Sequence, residues 1–392
     1  MTPLVYQTLD RLQQTRSAPF CAYVYDLSAL RAHIAAMRAA LPAQCELFYA
    51  AKANPEKAIL HTLAPWVDGF EAASGGELRW LRDQVPDSPL IFGGPGKLPA
   101  ELETAVELEI DAIHVESLTE LRRLSDIATR RQRPVRVMLR MNIPLTGIDG
   151  TRLMMGGKPT PFGLDAAELP LAIAAIDACR WLSLTGFHFH LMSHQLAVEN
   201  HLALMRLYLR QVARWCEQFD VQIQQVNVGG GIGINYRDPT AHFDWATFCR
   251  RLPAVISECQ AGHLKLRFEC GRYISAGCGY YVMEVLDIKR NLGEWFAIGH
   301  GGTHHFRTPA AQGHNHPFSV LRREQHAPAV ENQPVTLVGQ LCTPKDVLAR
   351  QQPVAALAIG DWLVFSLAGA YAWNISHQNF LMHAPPEVLW LE

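Results

Sequence analysis

The stretch Glu46-Leu47-Phe48-Tyr49-Ala50-Ala51-Lys52-Ala53-Asn54-Pro55 decides how the chain is read. A strand-length apolar run ends in a lysine, and a proline stops the pattern three residues later. Before it, Leu27, Leu30, Ile34, Met37 and Leu41 recur at three- and four-residue steps. That spacing puts them on one face of a helix that Pro42 ends. Seven further apolar runs follow: Val67–Glu71, Leu90–Phe92, Ala112–Val115, Val135–Arg140, Thr185–His190, Gln224–Val228 and Leu264–Glu269. Helical patterns lie between most of them. Two open with Ser-x-x-Glu, Ser74 with Glu77 and Ser117 with Glu120, the signature of a helix start. Eight strands alternating with helices predict a parallel (β/α)8 barrel, placed at residues 26–265.

Beyond Glu269 the texture changes. Tyr280–Ile288, Trp295–Ile298, Val335–Val338, Trp362–Phe365 and Val388–Leu391 read as strands without long helices between them, and Ala22–Tyr25 can join them. A smaller β domain from residues 1–25 and 266–392 is expected. Gly301–Pro334, rich in His, Pro, Gly and Arg, reads as a long functional loop.

The 392 residues carry 35 Lys plus Arg against 37 Asp plus Glu. That balance gives no basic footprint for nucleic acid and no polybasic membrane patch. No apolar run is long enough to span a bilayer, and Met1–Phe20 has no signal-type core. Nine cysteines with no Cys-x-x-Cys pair argue against a disulfide framework or zinc ribbon, so a cytoplasmic protein with reduced thiols is expected.

In such a barrel chemistry gathers at the C-terminal strand ends. Lys52, Glu71, Arg140, His188, His190, Gly229–Gly231, Glu269 and Arg272 all fall there. A lysine leaving an apolar strand can act as an amine nucleophile toward an aldehyde cofactor, or simply snorkel. Gly229-Gly230-Gly231-Ile232-Gly233 can close backbone N–H groups on a phosphate, or form a tight turn. His188 and His190 alternate along one strand face; stacking on a flat ring, metal binding and plain core packing all remain open. Glu269 can face a pyridine nitrogen and Arg272 a phosphate, or the two can form an ion pair. Cys342, in Gly339-Gln340-Leu341-Cys342-Thr343-Pro344-Lys345-Asp346, reads by default as a structural thiol.

Together, and in this order, these motifs resemble the fold-type III pyridoxal-phosphate (PLP) decarboxylases, the alanine-racemase-like group of ornithine and diaminopimelate decarboxylases. The resemblance runs from about Phe20 to the C-terminus. It implies PLP as cofactor, no metal, and a homodimer. It makes Lys52 the Schiff-base lysine and His190 the residue stacked on the ring. Ser193, Gly230, Gly231, Arg272 and Tyr371 would hold the phosphate, Glu269 would meet the pyridine nitrogen, and Glu71 and Arg140 would line the cofactor. Cys342 would be the proton donor, reaching the site from the partner subunit.

The departures narrow the branch. Relatives carry an acid directly after the cysteine, where it receives a distal amine; here Thr343 stands there, with Asp346 as partial compensation. Losing that charge-assisted bond would cost a basic substrate roughly 1.5–3 kcal/mol. Ile91–Lys97, Gly186–His190, Phe268–Arg272, His314–Phe318 and Gly339–Asp346 are similar to the siderophore-biosynthesis branch, above all the decarboxylase of staphyloferrin B assembly. That implies a small-molecule substrate of the citryl-L-2,3-diaminopropionate type. O-citryl-L-serine, as in the achromobactin and vibrioferrin pathways, and a general diamino acid such as diaminopimelate stay open, as does racemization. Arg307 falls where relatives bind a substrate carboxylate, and His316 lies in the same donor-rich loop.

Overall fold

The computed structural model describes residues 1–145, 156–323 and 326–392. They divide into two compact units: His33–Ile234 with His242–Tyr273, and Met1–Ala32 with Asn235–Ala241 and Ile274–Glu392.

In the first unit eight parallel strands close on themselves. They are Cys45–Ala50, Gly69–Ala72, Leu90–Phe92, Ala112–Val115, Val135–Asn142, Leu182–His188, Gln225–Gly229 and Lys265–Cys270. The circle is completed where Lys265–Cys270 pairs with both Cys45–Ala50 and Gln225–Gly229. Every expected strand is present, with ends shifted by a few residues. A two-residue strand, Leu164–Asp165, adds to the edge of Val135–Asn142. The capping reading is realised as well. Ser74 Oγ accepts the Glu77 N–H and Ser117 Oγ the Glu120 N–H, each at 3.1 Å, opening helices Gly75–Gln84 and Leu118–Arg131. The expected boundary at 265 cut off the last strand, which pairs along its whole length inside the barrel.

The second unit is a sheet running Phe318–Leu321, Trp362–Phe365, Gly279–Asn291, Glu294–Gly299, Val330–Val338, Val347–Leu357 in spatial order. Cys21–Asp26 pairs with Gly279–Asn291 and with Glu387–Leu391, so the N-terminal strand joins this sheet as expected. Two strands were hidden in the sequence. Phe318–Leu321 lies in the segment read as a loop, and Arg350-Gln351-Gln352-Pro353 interrupts the apolar pattern of Val347–Leu357. Helix Pro3–Thr15 covers a core of Val5, Leu9, Phe20, Val24, Val282 and Trp362. No helix among the described residues is long and apolar enough to cross a membrane.

Candidate active site

Lys52 sits in a single helical turn, Ala51–Ala53, directly after the first barrel strand. Its side chain is 42 % exposed, whereas its partner Glu71 is buried, with Nζ 2.7 and 2.9 Å from the two carboxylate oxygens. Burial pushes the Glu71 carboxyl above its usual range, and Lys52 works against that shift. The amine is therefore held by one buried acid while its tip faces the barrel mouth.

Glu269 is the last residue but one of the final barrel strand, and one of its oxygens accepts a hydrogen bond. Asn227 Nδ2 donates to Oε1 at 2.8 Å, and His188 Nε2 lies 3.3 Å from Oε2. His114 Nδ1 is 3.6 Å from Oε1. Burial opposes ionisation of Glu269, while the Lys52 ammonium and the Asn227 hydrogen bond favour it, and its pKa lies below the ordinary value. Burial pushes both His114 and His188 well below the usual imidazole range, so at neutral pH they face Glu269 as neutral rings. Their centroids are 4.1 Å apart. One donor atom from each of His114, His188 and Glu269 lies within 4.8 Å of the others.

His190 lies just past the strand that ends at His188, so the two histidines do not share one strand as the alternation suggested. Its Nδ1 accepts the Gly230 N–H at 3.3 Å, and Nε2 is 3.5 Å from Ser193 Oγ. The first bond assigns the proton to Nε2. Burial, with Arg140 and Lys52 nearby, lowers its pKa to about 3. Gly229 and Gly231 hold positive φ, 68° and 79°. A Cβ at Gly230 would lie 2.2 Å from the Glu269 carbonyl oxygen, and one at Gly231 2.5 Å from that of Met192. The glycine run is thus required by close backbone approach. Arg272, half-buried, opens the short helix Arg272–Ser275 after the last strand.

Arg140 is committed elsewhere than expected. Nη1 pairs with Glu116 Oε1 at 2.8 Å in the barrel interior. Glu116 also accepts the N–H groups of Gly94 and Gly163. The sequence reading missed Glu116, His114 and Asn227. The available signal was the alternation His114-Val115-Glu116 at a strand end.

In the second unit Cys342 is exposed, unlike the other eight cysteines, which are buried or partly so. Its loop is stapled by Asp346, whose oxygens accept from Thr303 N (2.6 Å), Thr303 Oγ1 (2.8 Å) and Leu341 N (2.9 Å). Gly302 and Gly339 let this carboxylate come close: a Cβ on Gly339 would lie 2.4 Å from Asp346 Oδ2. Asp346 is therefore a buried loop anchor. His316 is likewise buried. Its Nε2 bonds the Ser366 carbonyl at 2.6 Å and its Nδ1 lies 3.1 Å from His314 Nε2. Tyr371 takes a left-handed backbone (φ 49°), and its carbonyl accepts the Thr308 hydroxyl. Arg307 is exposed and lines a cavity of about 780 Å³ together with Thr303, Thr343, Lys345 and Arg350; among the described residues no Asp or Glu lines it.

The barrel residues fit a flat anionic aldehyde: an amine at the mouth, a buried carboxylate bonded to Asn227, a buried imidazole, and a glycine run too tight for side chains. Comparison with known proteins agrees. The family described as "Pyridoxal-dependent decarboxylase, pyridoxal binding domain" matches residues 27–276. The chain is 42% identical over 99% of its length, and 98% of the relative, to 2-[(L-alanin-3-ylcarbamoyl)methyl]-2-hydroxybutanedioate decarboxylase of Staphylococcus aureus. It is 27% identical to diaminopimelate decarboxylase of Bacteroides thetaiotaomicron, covering 91% of this chain and 92% of that one. The crystal structure of diaminopimelate decarboxylase from Helicobacter pylori complexed with L-lysine superposes with a TM-score of 0.86 at 25% identity, covering 98% of this chain and 94% of that one.

Proposed function

The chain belongs to the pyridoxal-dependent decarboxylase family, and from that premise we propose that it decarboxylates a citryl-L-2,3-diaminopropionate conjugate in siderophore biosynthesis, with PLP bound at Lys52. The name of the Staphylococcus aureus relative spells out such a molecule: alanine joined through its third carbon, by an amide, to a citrate skeleton. One observation of this chain carries the substrate reading. The cavity at Arg307 presents Lys345 and Arg350 as further cations and, among the described residues, no carboxylate. A citrate arm finds donors there, whereas the distal amine of ornithine or lysine finds no counter-charge.

Bound PLP supplies an aldehyde for the substrate amine and a ring that takes up the electron pair left by carbon dioxide. Glu71 orients the Lys52 amine through two short bonds. Glu269, buried, would face the ring nitrogen. His190 would offer a flat face to the ring beside the Gly229–Gly231 turn, and Ser193, Arg272 and Tyr371 would be further phosphate ligands. Cys342 Sγ–H supplies the proton that replaces the lost carboxylate, with the thiol reaching the site from the other subunit of a homodimer. Nine unpaired cysteines fit a reducing cytoplasm.

The test is a mass-spectrometric assay of the purified protein with PLP, offering citryl-diaminopropionate, citryl-serine, diaminopimelate and ornithine in parallel, with carbon dioxide trapped. Release of carbon dioxide from citryl-diaminopropionate well ahead of the others is expected. Preference for ornithine or diaminopimelate would overturn the substrate assignment. Inversion of the amino acid without carbon dioxide would make the protein a racemase.

A further inference from the structure

Asn227 is fully buried in the barrel strand Gln225–Gly229, and both ends of its amide are engaged. Oδ1 accepts the Gly229 N–H at 2.9 Å, which fixes which end of the amide is oxygen. At the opposite end Nδ2 donates to Glu269 Oε1 at 2.8 Å and lies 3.3 Å from His114 Nε2. An asparagine accepts at one end and donates at the other while carrying no charge. The two ends serve different parts of the site. Gly229 opens the glycine turn with a positive φ of 68°. A Cβ there would lie 2.6 Å from His190 Nδ1 and from the Phe189 carbonyl oxygen, so the backbone is closely packed at this point. The bond from the Gly229 N–H to a side chain two residues earlier is the kind that holds such a turn in shape. Glu269 lies on the adjacent strand. The pairing of the two strands shifts here: Arg267 is opposite Asn227 and Phe268 opposite Gly229, so Val228 is an extra residue. Irregularities of this kind re-aim side chains beside functional sites.

We infer that Asn227 is a positioning residue that ties the glycine turn to Glu269. It holds the turn expected to take the cofactor's phosphate, and the carboxylate expected to face its ring nitrogen, at a fixed spacing. A neutral amide suits this place. A cation bonded to Glu269 would compete for the charge that favours a proton on the ring nitrogen. A neutral N–H donor orients the carboxylate without offsetting that charge. The tie rests on the PLP reading, since both of its ends act through the cofactor.

The experiment uses holoenzyme reconstituted with PLP labelled with nitrogen-15 in the ring. The ring nitrogen and the cofactor phosphorus are read by NMR in the natural protein, Asn227→Leu and Asn227→Ser. The natural holoenzyme is expected to show the ring nitrogen shift of the protonated state. Asn227→Leu is similar in size but has neither donor nor acceptor. It should move the ring nitrogen toward the unprotonated value and shift the phosphorus signal as well. Loss of the bond to Glu269 should lower kcat about tenfold or more while KM changes less than about threefold. In Asn227→Ser the hydroxyl can still accept the Gly229 N–H but falls short of Glu269. That variant should move the ring nitrogen and leave the phosphorus in place. A natural ring nitrogen shift in both variants would overturn the tie. So would an Asn227→Leu protein in which the ring nitrogen moves and the phosphorus does not. Should both variants fail to fold, a crystal structure of the natural holoenzyme decides. The tie stands if the amide bridges Gly229 and Glu269 with that carboxylate in hydrogen-bond reach of the ring nitrogen, and falls if Glu269 faces elsewhere. A natural protein that takes up no PLP would sink the cofactor reading itself, a separate and recognisable result.

Discussion

Arg140 and Glu116 form an ion pair inside the barrel, Nη1 to Oε1 at 2.8 Å, with neither side chain more than 9 % exposed. Glu116 also carries the backbone N–H groups of Gly94 and Gly163, and the Arg140 guanidinium lies 4.8 Å from the Phe162 ring centre. Arg140→Met removes the cation and leaves a buried carboxylate without its partner, which typically costs about 3–5 kcal/mol. Urea unfolding of the apo-protein should show a loss of that order. The double variant Arg140→Met with Glu116→Gln should recover part of it. A loss below about 1 kcal/mol in the single variant would mean that the pair is not a structural support.

Cys342 and Asp346 lie in one loop, but they separate cleanly by experiment. Cys342 is exposed and makes no contribution to the core, so Cys342→Ala should leave the melting temperature within a degree or two. It should lower kcat about 10²-fold, the usual range for losing a positioned acid, with PLP affinity unchanged. Asp346→Ala strands the donors of Thr303 and Leu341 in a buried place. At about 1–3 kcal/mol for each donor left unpaired, it should destabilise the fold by several kcal/mol as well as slow turnover. Calorimetry beside steady-state kinetics checks both. A cysteine variant that turns over at the natural rate would remove the thiol from the chemistry.

The barrel was legible because its strands are buried on both faces and read as continuous apolar runs such as Leu90–Phe92. Lys52, Glu71, Glu269 and the glycine run were legible for a related reason: reactive side chains at strand ends stand out against an apolar background. Glu116, His114 and Asn227 were not. Each is a polar residue whose meaning depends on a neighbour far away in the chain, as Asn227 is from Glu269 and Glu116 from Arg140. Asp346 and His316 present the opposite difficulty. Their residue types suit substrate binding, and their bonds to backbone groups are made only in the folded chain. The strand Val347–Leu357 was lost because Arg350, Gln351 and Pro353 in its middle are exposed, so that stretch imitates a loop.

Acid should destabilise the apo-protein through histidines buried in the neutral state. His201 is one that lies apart from the site, packed against the rings of Phe243 and Phe248 with both nitrogens unpartnered. Burial lowers its pKa to about 4. The unfolded chain binds this proton near pH 6.5 and the native chain only near 4. Between those values the unfolded state therefore holds more protons, and stability falls as pH falls. Going from pH 7.5 to 5 should cost about 2 kcal/mol from this residue alone. His201→Leu should shrink the drop in urea midpoint between those two pH values by a corresponding amount. An equal drop in variant and natural protein would show that His201 titrates normally.

Arg307 offers the sharpest test of what the cavity recognises. Its guanidinium is exposed, and among the described residues the wall around it carries Lys345, Arg350 and Thr343 but no acid. A carboxylate of the substrate therefore meets a planar fork whose charge no neighbouring acid in the wall offsets. A hydrogen bond to a charged group contributes about 1.5–3 kcal/mol, equivalent to roughly 10- to 100-fold in affinity. Arg307→Met should raise KM for the citryl conjugate by that factor and change kcat much less, because the bond is made in the ground state and the transition state alike. Thr343→Asp approaches the question from the other side. An acid placed in this wall should weaken the polycarboxylate further and bring the first measurable turnover of a free diamino acid. If Arg307→Met binds the conjugate as tightly as the natural enzyme, the carboxylates are read elsewhere and this cavity is not the substrate's.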